Sequence, residues 1–214
     1  MRRILLSVFL AASVIALGGA GQAPPPRQTI YNHEDYAALG RVSAYLNSIK
    51  TMQSGFLQLR PDGQVDEGQL YISKPGRIRF EYLPPYPVLM VSDGRRVAVQ
   101  NKKLNTVDTY SLSDTPFALI LENNIDLGRN PAVVKIVKQN GTILVYARSV
   151  NTKTQGNIVF VFSDPEIELR QWSYTDNQGQ TTTITLRQTV TGRPVDDAKF
   201  VLPVKTPVAQ KTPN

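Results

Sequence analysis

The 214-residue chain carries 24 Lys and Arg against 17 Asp and Glu, a formal charge of +7, with no cysteine and a single histidine, His33. Its 41% hydrophobic and 19% charged residues are too apolar for a disordered chain, and 14 Gly with 15 Pro fit neither collagen nor a low-complexity linker, so one globular domain is expected. Without cysteine there is no disulfide, iron–sulfur or thiol chemistry and no lipid-modified N-terminal Cys, and one histidine leaves metal and acid–base sites little to build on; no metal and no cofactor is expected.

Arg2 and Arg3 precede an apolar run from Ile4 to Leu17, followed by Gly18-Gly19-Ala20 and Gly21-Gln22-Ala23. This pattern predicts a secretory signal over residues 1–20, cleaved after Ala20 or Ala23. The run is shorter than the roughly 20 residues of a membrane span. Removing Arg2 and Arg3 leaves 22 basic against 17 acidic residues, a charge of +5. An exported basic protein rarely meets nucleic acid, so none is expected as a partner; anionic headgroups or an acidic docking protein are better matches. Residues 21–31, with Ala23-Pro24-Pro25-Pro26-Arg27, read as a Pro-rich linker, 32–203 as the folded domain, and 204–214 as a flexible tail.

From Asn32 to about Met52, Leu39, Val42, Leu46 and Ile49 step by three and four, one stripe of a helix that docks on a sheet. Asn32 can cap it, with Glu34 and Asp35 in the positive first turn. Beyond Gly55 the period becomes two. In Arg77–Tyr82 the residues Ile78, Phe80 and Tyr82 point one way and Arg77, Arg79 and Glu81 the other, which predicts one covered and one wet face. Similar runs occupy Gly55–Leu59, Gln69–Ser73, Val88–Ser92, Arg95–Asn101, Thr106–Tyr110, Ala132–Gln139, Thr142–Ala147, Asn157–Phe162, Leu169–Thr175 and Thr181–Thr189. Turn signals such as Asp62-Gly63, Pro75-Gly76, Asp93-Gly94, Asn140-Gly141 and Gln178-Gly179 divide them. The fold class predicted is α+β: an antiparallel meander of about ten or eleven strands, curled to a barrel or half-barrel.

Two segments interrupt the meander. Ser113-Asp114-Thr115-Pro116 suits a helix start, and Phe117, Ile120 and Leu121 then share one face of a helix about two turns long. Isolated helices below about 12 residues are marginal in water, so this one must bury that face. Asn123 to Pro131, with Ile125 and Leu127, is a candidate for another helical turn. The concave face of the sheet is the expected partner of both.

The ordered set Gly55-Phe56-Leu57-Gln58, Gly68-Gln69-Leu70-Tyr71-Ile72-Ser73-Lys74-Pro75, Arg79-Phe80-Glu81-Tyr82, Val91-Ser92-Asp93-Gly94, Thr115-Pro116-Phe117-Ala118-Leu119-Ile120-Leu121 and Asp197-Ala198-Lys199-Phe200 is similar to the periplasmic outer-membrane lipoprotein carrier family, LolA, over roughly residues 34 to 203. The resemblance implies an unclosed antiparallel β-barrel, a lid of short helices and an apolar cavity between them. It implies a periplasmic, monomeric carrier, not an enzyme, that takes acylated lipoprotein cargo from an inner-membrane ABC releasing complex and passes the acyl chains to an outer-membrane receptor, if one exists. On it, Phe56, Leu70, Ile72, Ile78, Phe80, Leu89 and Val91 would line the cavity, and Phe117, Ile120 and Leu121 of the lid would fill it when empty. The family commonly has Arg where this chain has Lys74, as a latch on lid carbonyls; lysine keeps the charge without the five-donor fork, so the latch should be weaker.

Independent physics suits such a role. A triacylated protein exposes about 45 methylenes, and at about 0.8 kcal/mol each their passage through water would cost on the order of 35 kcal/mol. A soluble shield is needed, and a lid that competes with the cargo keeps release feasible, since non-covalent affinity saturates near about 20 kcal/mol.

The remaining residues take bland readings. His33 reads as a surface residue, and Glu34-Asp35, Asp66-Glu67 and Asp196-Asp197 as solvated pairs without calcium-loop spacing. Ser92 and Ser163 lack a nucleophile-elbow context. Arg95-Arg96 and Lys102-Lys103 read either as a patch for an anionic membrane or partner or as charge defending an edge. Trp172 and Tyr174 share a face whose direction periodicity leaves open. The rival readings are a carrier or sensor of another amphiphile on the same fold, a periplasmic hydrolase using a carboxylate pair, and a structural β protein.

Overall fold

Asn32 starts the first helix with a reciprocal cap. Its side-chain oxygen accepts from the Asp35 N–H at 2.8 Å, and the Asp35 carboxylate accepts from the Asn32 N–H at 3.3 Å, which satisfies two orphan amides of the first turn. The structure is a computed structural model that describes residues 31–115, 118–148 and 156–204; the candidate leader, residues 21–30 of the linker, Phe117 and the tail beyond Val204 lie outside the described residues. Helix α1 spans His33–Ser48 and buries Ala38, Leu39, Val42 and Leu46. It stops where Ile49 turns extended, at φ −77° and ψ 111°. Thr51 and Met52, expected in the helix, instead open the first strand.

Eleven strands follow: β1 (Thr51–Leu59), β2 (Val65–Ser73), β3 (Arg77–Tyr82), β4 (Val88–Asp93), β5 (Arg96–Asn101), β6 (Thr106–Ser111), β7 (Val133–Gln139), β8 (Thr142–Arg148), β9 (Gly156–Ser163), β10 (Leu169–Asp176) and β11 (Thr181–Thr191). They form one antiparallel sheet in the order β6-β5-β4-β3-β2-β1-β11-β10-β9-β8-β7. The first and last strands pair at its centre, Phe56 opposite Leu186, and β6 and β7 are left as unjoined edges. The sheet is strongly curled. Phe80 on β3 and Trp172 on β10 stand four strand steps apart, roughly 19 Å on a flat sheet, yet their rings meet at 6.1 Å. This is an unclosed half-barrel.

The chain between the edges crosses the concave side. It contains a 3-10 turn at Leu112–Asp114 and α2, Ala118–Leu121, a single turn where two were expected. Residues 123–131 form no helix, contrary to the expectation, because α1 side chains take their backbone groups. The Asn47 carboxamide accepts from the Ile125 N–H at 2.8 Å and donates to the Ile125 carbonyl at 2.9 Å, and the Ser43 hydroxyl accepts from the Leu127 N–H at 3.0 Å. Leu112, Leu119, Ile120, Leu121, Ile125 and Leu127 all join the core with α1 and the concave faces of the strands.

The convex side is not wholly wet, as alternation had suggested. A 3-10 turn at Asp197–Phe200 lies against β3 and β4. It is held by Arg77 to Asp197 at 2.6 Å, by the Arg79 guanidinium donating to the Lys199 carbonyl at 3.1 Å, and by the Lys199 ammonium 4.1 Å from the Tyr71 ring centre. Leu89, Val91 and Ala98 are buried outside the main core cluster.

Candidate functional site

The two ends of the half-barrel differ because α1 crosses only one of them. At that end Arg41 pairs with Asp164 at 2.8 Å, the Tyr45 hydroxyl accepts from the Leu169 N–H at 3.1 Å, and the Lys138 ammonium meets Glu34 at 3.1 Å and Asp35 at 3.3 Å. The Gly76 N–H, in the β2–β3 turn, donates to the carbonyl of Leu121, the last residue of α2, at 2.9 Å. The β1–β2, β3–β4, β5–β6 and β10–β11 turns lie together at the other end, as strict antiparallel alternation requires.

Near that open end the concave face carries linked aromatic rings. Phe56 meets Phe80 at 5.3 Å and Tyr82 at 5.0 Å, and Tyr82 meets Tyr86 at 4.9 Å, all edge-on, the geometry that ring quadrupoles favour. Gly68 opposite Phe56 makes this possible: a Cβ there would stand 2.8 Å from the Phe56 ring and 2.3 Å from the Glu81 carbonyl oxygen. Beside the rings lies a cavity of about 440 Å³, lined by Gln58, Phe80, Tyr82, Met90, Tyr110, Trp172, Tyr174, Thr182 and Ile184 from the sheet and by Asp114 and Thr115 from the segment that follows β6. The Tyr82 hydroxyl donates to the Gln58 side-chain oxygen at 2.6 Å, so the buried amide oxygen is satisfied. Burial, with smaller contributions from Tyr86 and Asp66, holds the Tyr82 hydroxyl well above the usual tyrosine range, and it stays neutral. A second space of about 320 Å³ lies at the seam beside α2, bounded by Ala118, Leu119, Glu122, Arg148 and Ile158, and shares Thr115 with the first.

The sequence-derived cavity residues divide. Phe56, Leu70, Ile72, Ile78 and Phe80 sit on the concave face in one cluster with Ile120 and Leu121; of these, only Phe80 reaches the cavity wall. Leu89 and Val91 do not belong there: Met90 is the β4 residue opposite Phe80, so its neighbours face the convex side. Phe117 lies outside the described residues. The Lys74 ammonium donates to the carbonyl of Leu46 in the last turn of α1 at 2.7 Å, not to the 112–131 segment. Burial, and secondly the charge of Lys50, lowers its pKa from 10.5 to about 8 against the opposing pull of Glu122. Sequence reasoning passed over Gln58, Tyr82, Met90 and Tyr110 as wall residues and left Trp172 and Tyr174 undirected. The Phe80/Tyr82 and Trp172/Tyr174 alternations held the signal, but their shared face emerges only from the pairing of distant strands.

Among the described residues, no group of three His, Cys, Asp or Glu side chains is placed to hold a metal ion, and no helix is long and apolar enough to cross a membrane. Walled mainly by aromatic and aliphatic side chains, with Asp114 the charged residue of its lining, the cavity suits burial of hydrocarbon.

A profile of the family described as outer membrane lipoprotein carrier protein LolA matches residues 47–203. An outer-membrane lipoprotein carrier protein of Methylibium petroleiphilum is 32% identical over 137 residues, covering 58% of this chain and 61% of that one. One of Methylococcus capsulatus is 28% identical over 170 residues, covering 75% and 80%. The crystal structure of a LolA superfamily protein from Nitrosomonas europaea superposes with a TM-score of 0.44 at 8% identity, covering 76% of this chain and 97% of that one. The chain spans about three fifths of the length of the Methylibium relative.

Proposed function

We propose that this chain, which belongs to the outer membrane lipoprotein carrier family LolA, works in the periplasm, taking the acyl chains of lipoproteins released from the inner membrane and delivering them to the outer membrane. The observation that carries this reading is the aromatic-walled, mainly apolar cavity between the half-barrel and a buried apolar segment with almost no secondary structure of its own. A single helical turn contributes little stability by itself, so residues 118–131 are held by burying Ile120, Leu121, Ile125 and Leu127 and by the bonds from Asn47, Ser43 and Gly76. Acyl chains entering the same volume offer an equivalent apolar surface and can displace them. Displacing them would enlarge the apolar space for a triacylated cargo.

In this reading the leader 1–20 directs export and is cleaved after Ala20 or Ala23, residues 21–31 tether the domain 32–203, and Lys74 helps hold the closed state through α1. An inner-membrane ABC releasing complex loads the carrier, and an outer-membrane receptor, if present, unloads it. The protein acts as a monomer by stoichiometric binding and not by turnover. The mainly apolar lining also suits a second reading, a carrier of another amphiphile such as a phospholipid or glycolipid.

Native mass spectrometry of protein recovered from a bacterial periplasm, with its ligands extracted and identified, separates them. Release of a triacylated lipoprotein at one-to-one stoichiometry supports the carrier reading. A different lipid moves the function to the second. Protein that is empty and ignores added acylated peptide rejects both.

A further inference from the structure

The open end of the half-barrel is edged by turns that hold apolar side chains in water. Leu59 (47% exposed) and Val65 (59%) flank the β1–β2 turn, Leu83 (46%) begins the β3–β4 turn, and Leu104 (68%) stands in the β5–β6 turn. These turns form one continuous edge because their strands are consecutive in the sheet and the backbone ties them: the Leu83 N–H donates to the Glu67 carbonyl at 2.9 Å, and the Lys102 N–H to the Pro87 carbonyl at 2.8 Å. Leu104 is not exposed through looseness. The Asn101 side-chain oxygen accepts from the N–H groups of both Lys103 and Leu104 at 3.0 Å, a side-chain bond that fixes the turn.

Charge accompanies the apolar tips. Lys102 and Lys103 are exposed beside Leu104 and enter none of the ion pairs among the described residues. The nearby acids are largely engaged: Asp62 and Asp66 with Arg60 at 3.7 and 2.9 Å, Glu81 with Arg79 at 3.2 Å, and Asp176 with the N–H groups of Gln178 and Gln180, both at 2.9 Å. Glu67 and Asp108 stand two residues in from their turns. Single leucines on separate tight turns do not make the contiguous patch of about 800 Å² a side that a protein interface uses. They match a headgroup layer, where apolar tips enter the acyl boundary and lysines meet anionic phosphates.

We propose that this edge docks the open end of the half-barrel on an anionic phospholipid surface through the Leu104 turn, with Leu83 beside it and Lys102 and Lys103 supplying the charge. The inference rests on the carrier reading for its purpose, since it sets the cavity mouth against the layer that exchanges acyl chains, but its test is separate. Protein recovered from the periplasm, without the apolar leader, is floated with vesicles of phosphatidylethanolamine and phosphatidylglycerol at low salt, while uptake of a fluorescent fatty acid is measured in parallel. Binding is expected to the anionic vesicles and not to phosphatidylcholine. The double variant Lys102→Gln/Lys103→Gln is expected to weaken it about thirtyfold and Leu104→Asn about tenfold, with fatty-acid uptake and thermal stability unchanged because all three side chains are exposed. Flotation that these variants leave intact, or no flotation of the wild type, overturns the proposal. Fatty-acid uptake without flotation would remove the docking edge and leave the carrier reading; turn-dependent flotation without uptake would support the edge and remove the carrier.

Discussion

Raising the pH from about 7 to about 9.5 is expected to stabilise this protein, and Lys74→Arg is expected to abolish the gain. Burial and the neighbouring Lys50 lower the Lys74 pKa from 10.5 to about 8, which means that the folded state holds this proton less tightly than the unfolded chain does. Below about 8 both states carry it. Between about 8 and 10.5 the folded protein has lost it while the unfolded chain retains it, and stability rises with pH wherever the unfolded state binds more protons. The interval corresponds to about 3 kcal/mol for a fully shielded group. Water reaches this half-buried ammonium, and screening leaves about 1–1.5 kcal/mol. The rise ends near pH 10, because Tyr45, Tyr82 and Tyr86 are held above the usual tyrosine range, mainly by burial; they keep protons that the unfolded chain releases, which reverses the slope. Arginine stays charged throughout and can still donate to the Leu46 carbonyl, so its profile should be flat over the window. Urea unfolding followed by the single tryptophan, Trp172, 1% exposed, measures both proteins at each pH with a constant denaturant slope as the check. Parallel profiles for the two would show that the Lys74 proton is not linked to folding and refute the reasoning.

Other substitutions test the packing and the lid. Gly68→Ala puts a methyl against the Glu81 carbonyl and the Phe56 ring and is expected to cost about 2–3 kcal/mol of stability; an unchanged melting temperature would mean that β2 and β3 yield at no cost. Tyr110→Ala removes an exposed wall residue. It should leave stability within about 0.5 kcal/mol and still weaken binding of a fluorescent fatty acid; unaltered binding would place the ligand elsewhere. Leu121→Asp sets a carboxylate among Leu46, Ile72 and their neighbours in the core and should both lower the melting temperature and increase the rate of fatty-acid uptake, since expelling the charge opens the 112–131 segment. If neither changes, that segment is not a lid.

The strands were legible because period-two alternation and turn residues are local properties. Arg77–Tyr82 matches its sequence reading end to end, and Asn140-Gly141 lies in the turn where it was expected. The α1 stripe was equally plain, but its end was not: Ile49 and Met52 continue a helical spacing while Met52 and Phe56 also fit the strand that buries them. Side-chain bonds from Ser43 and Asn47 to residues 125 and 127 were beyond reach, since no local pattern joins groups about 80 residues apart. Alternation also shows which residues share a face without saying which face is concave. In β4 Met90 looks inward, while Leu89 and Val91 are buried on the other side, the side on which the Asp197–Phe200 turn lies against the strand. Lys74 was chosen by its neighbours in sequence, and its partner was set by where α1 ends. By itself, then, the sequence determined the strand inventory, the first helix and the family, because these rest on neighbouring residues and their order. The pairing of β1 with β11 at the centre of the sheet, the sidedness of each strand and the walls of the cavity came only with the folded chain. All three depend on contacts between residues that are close only after the chain has curled.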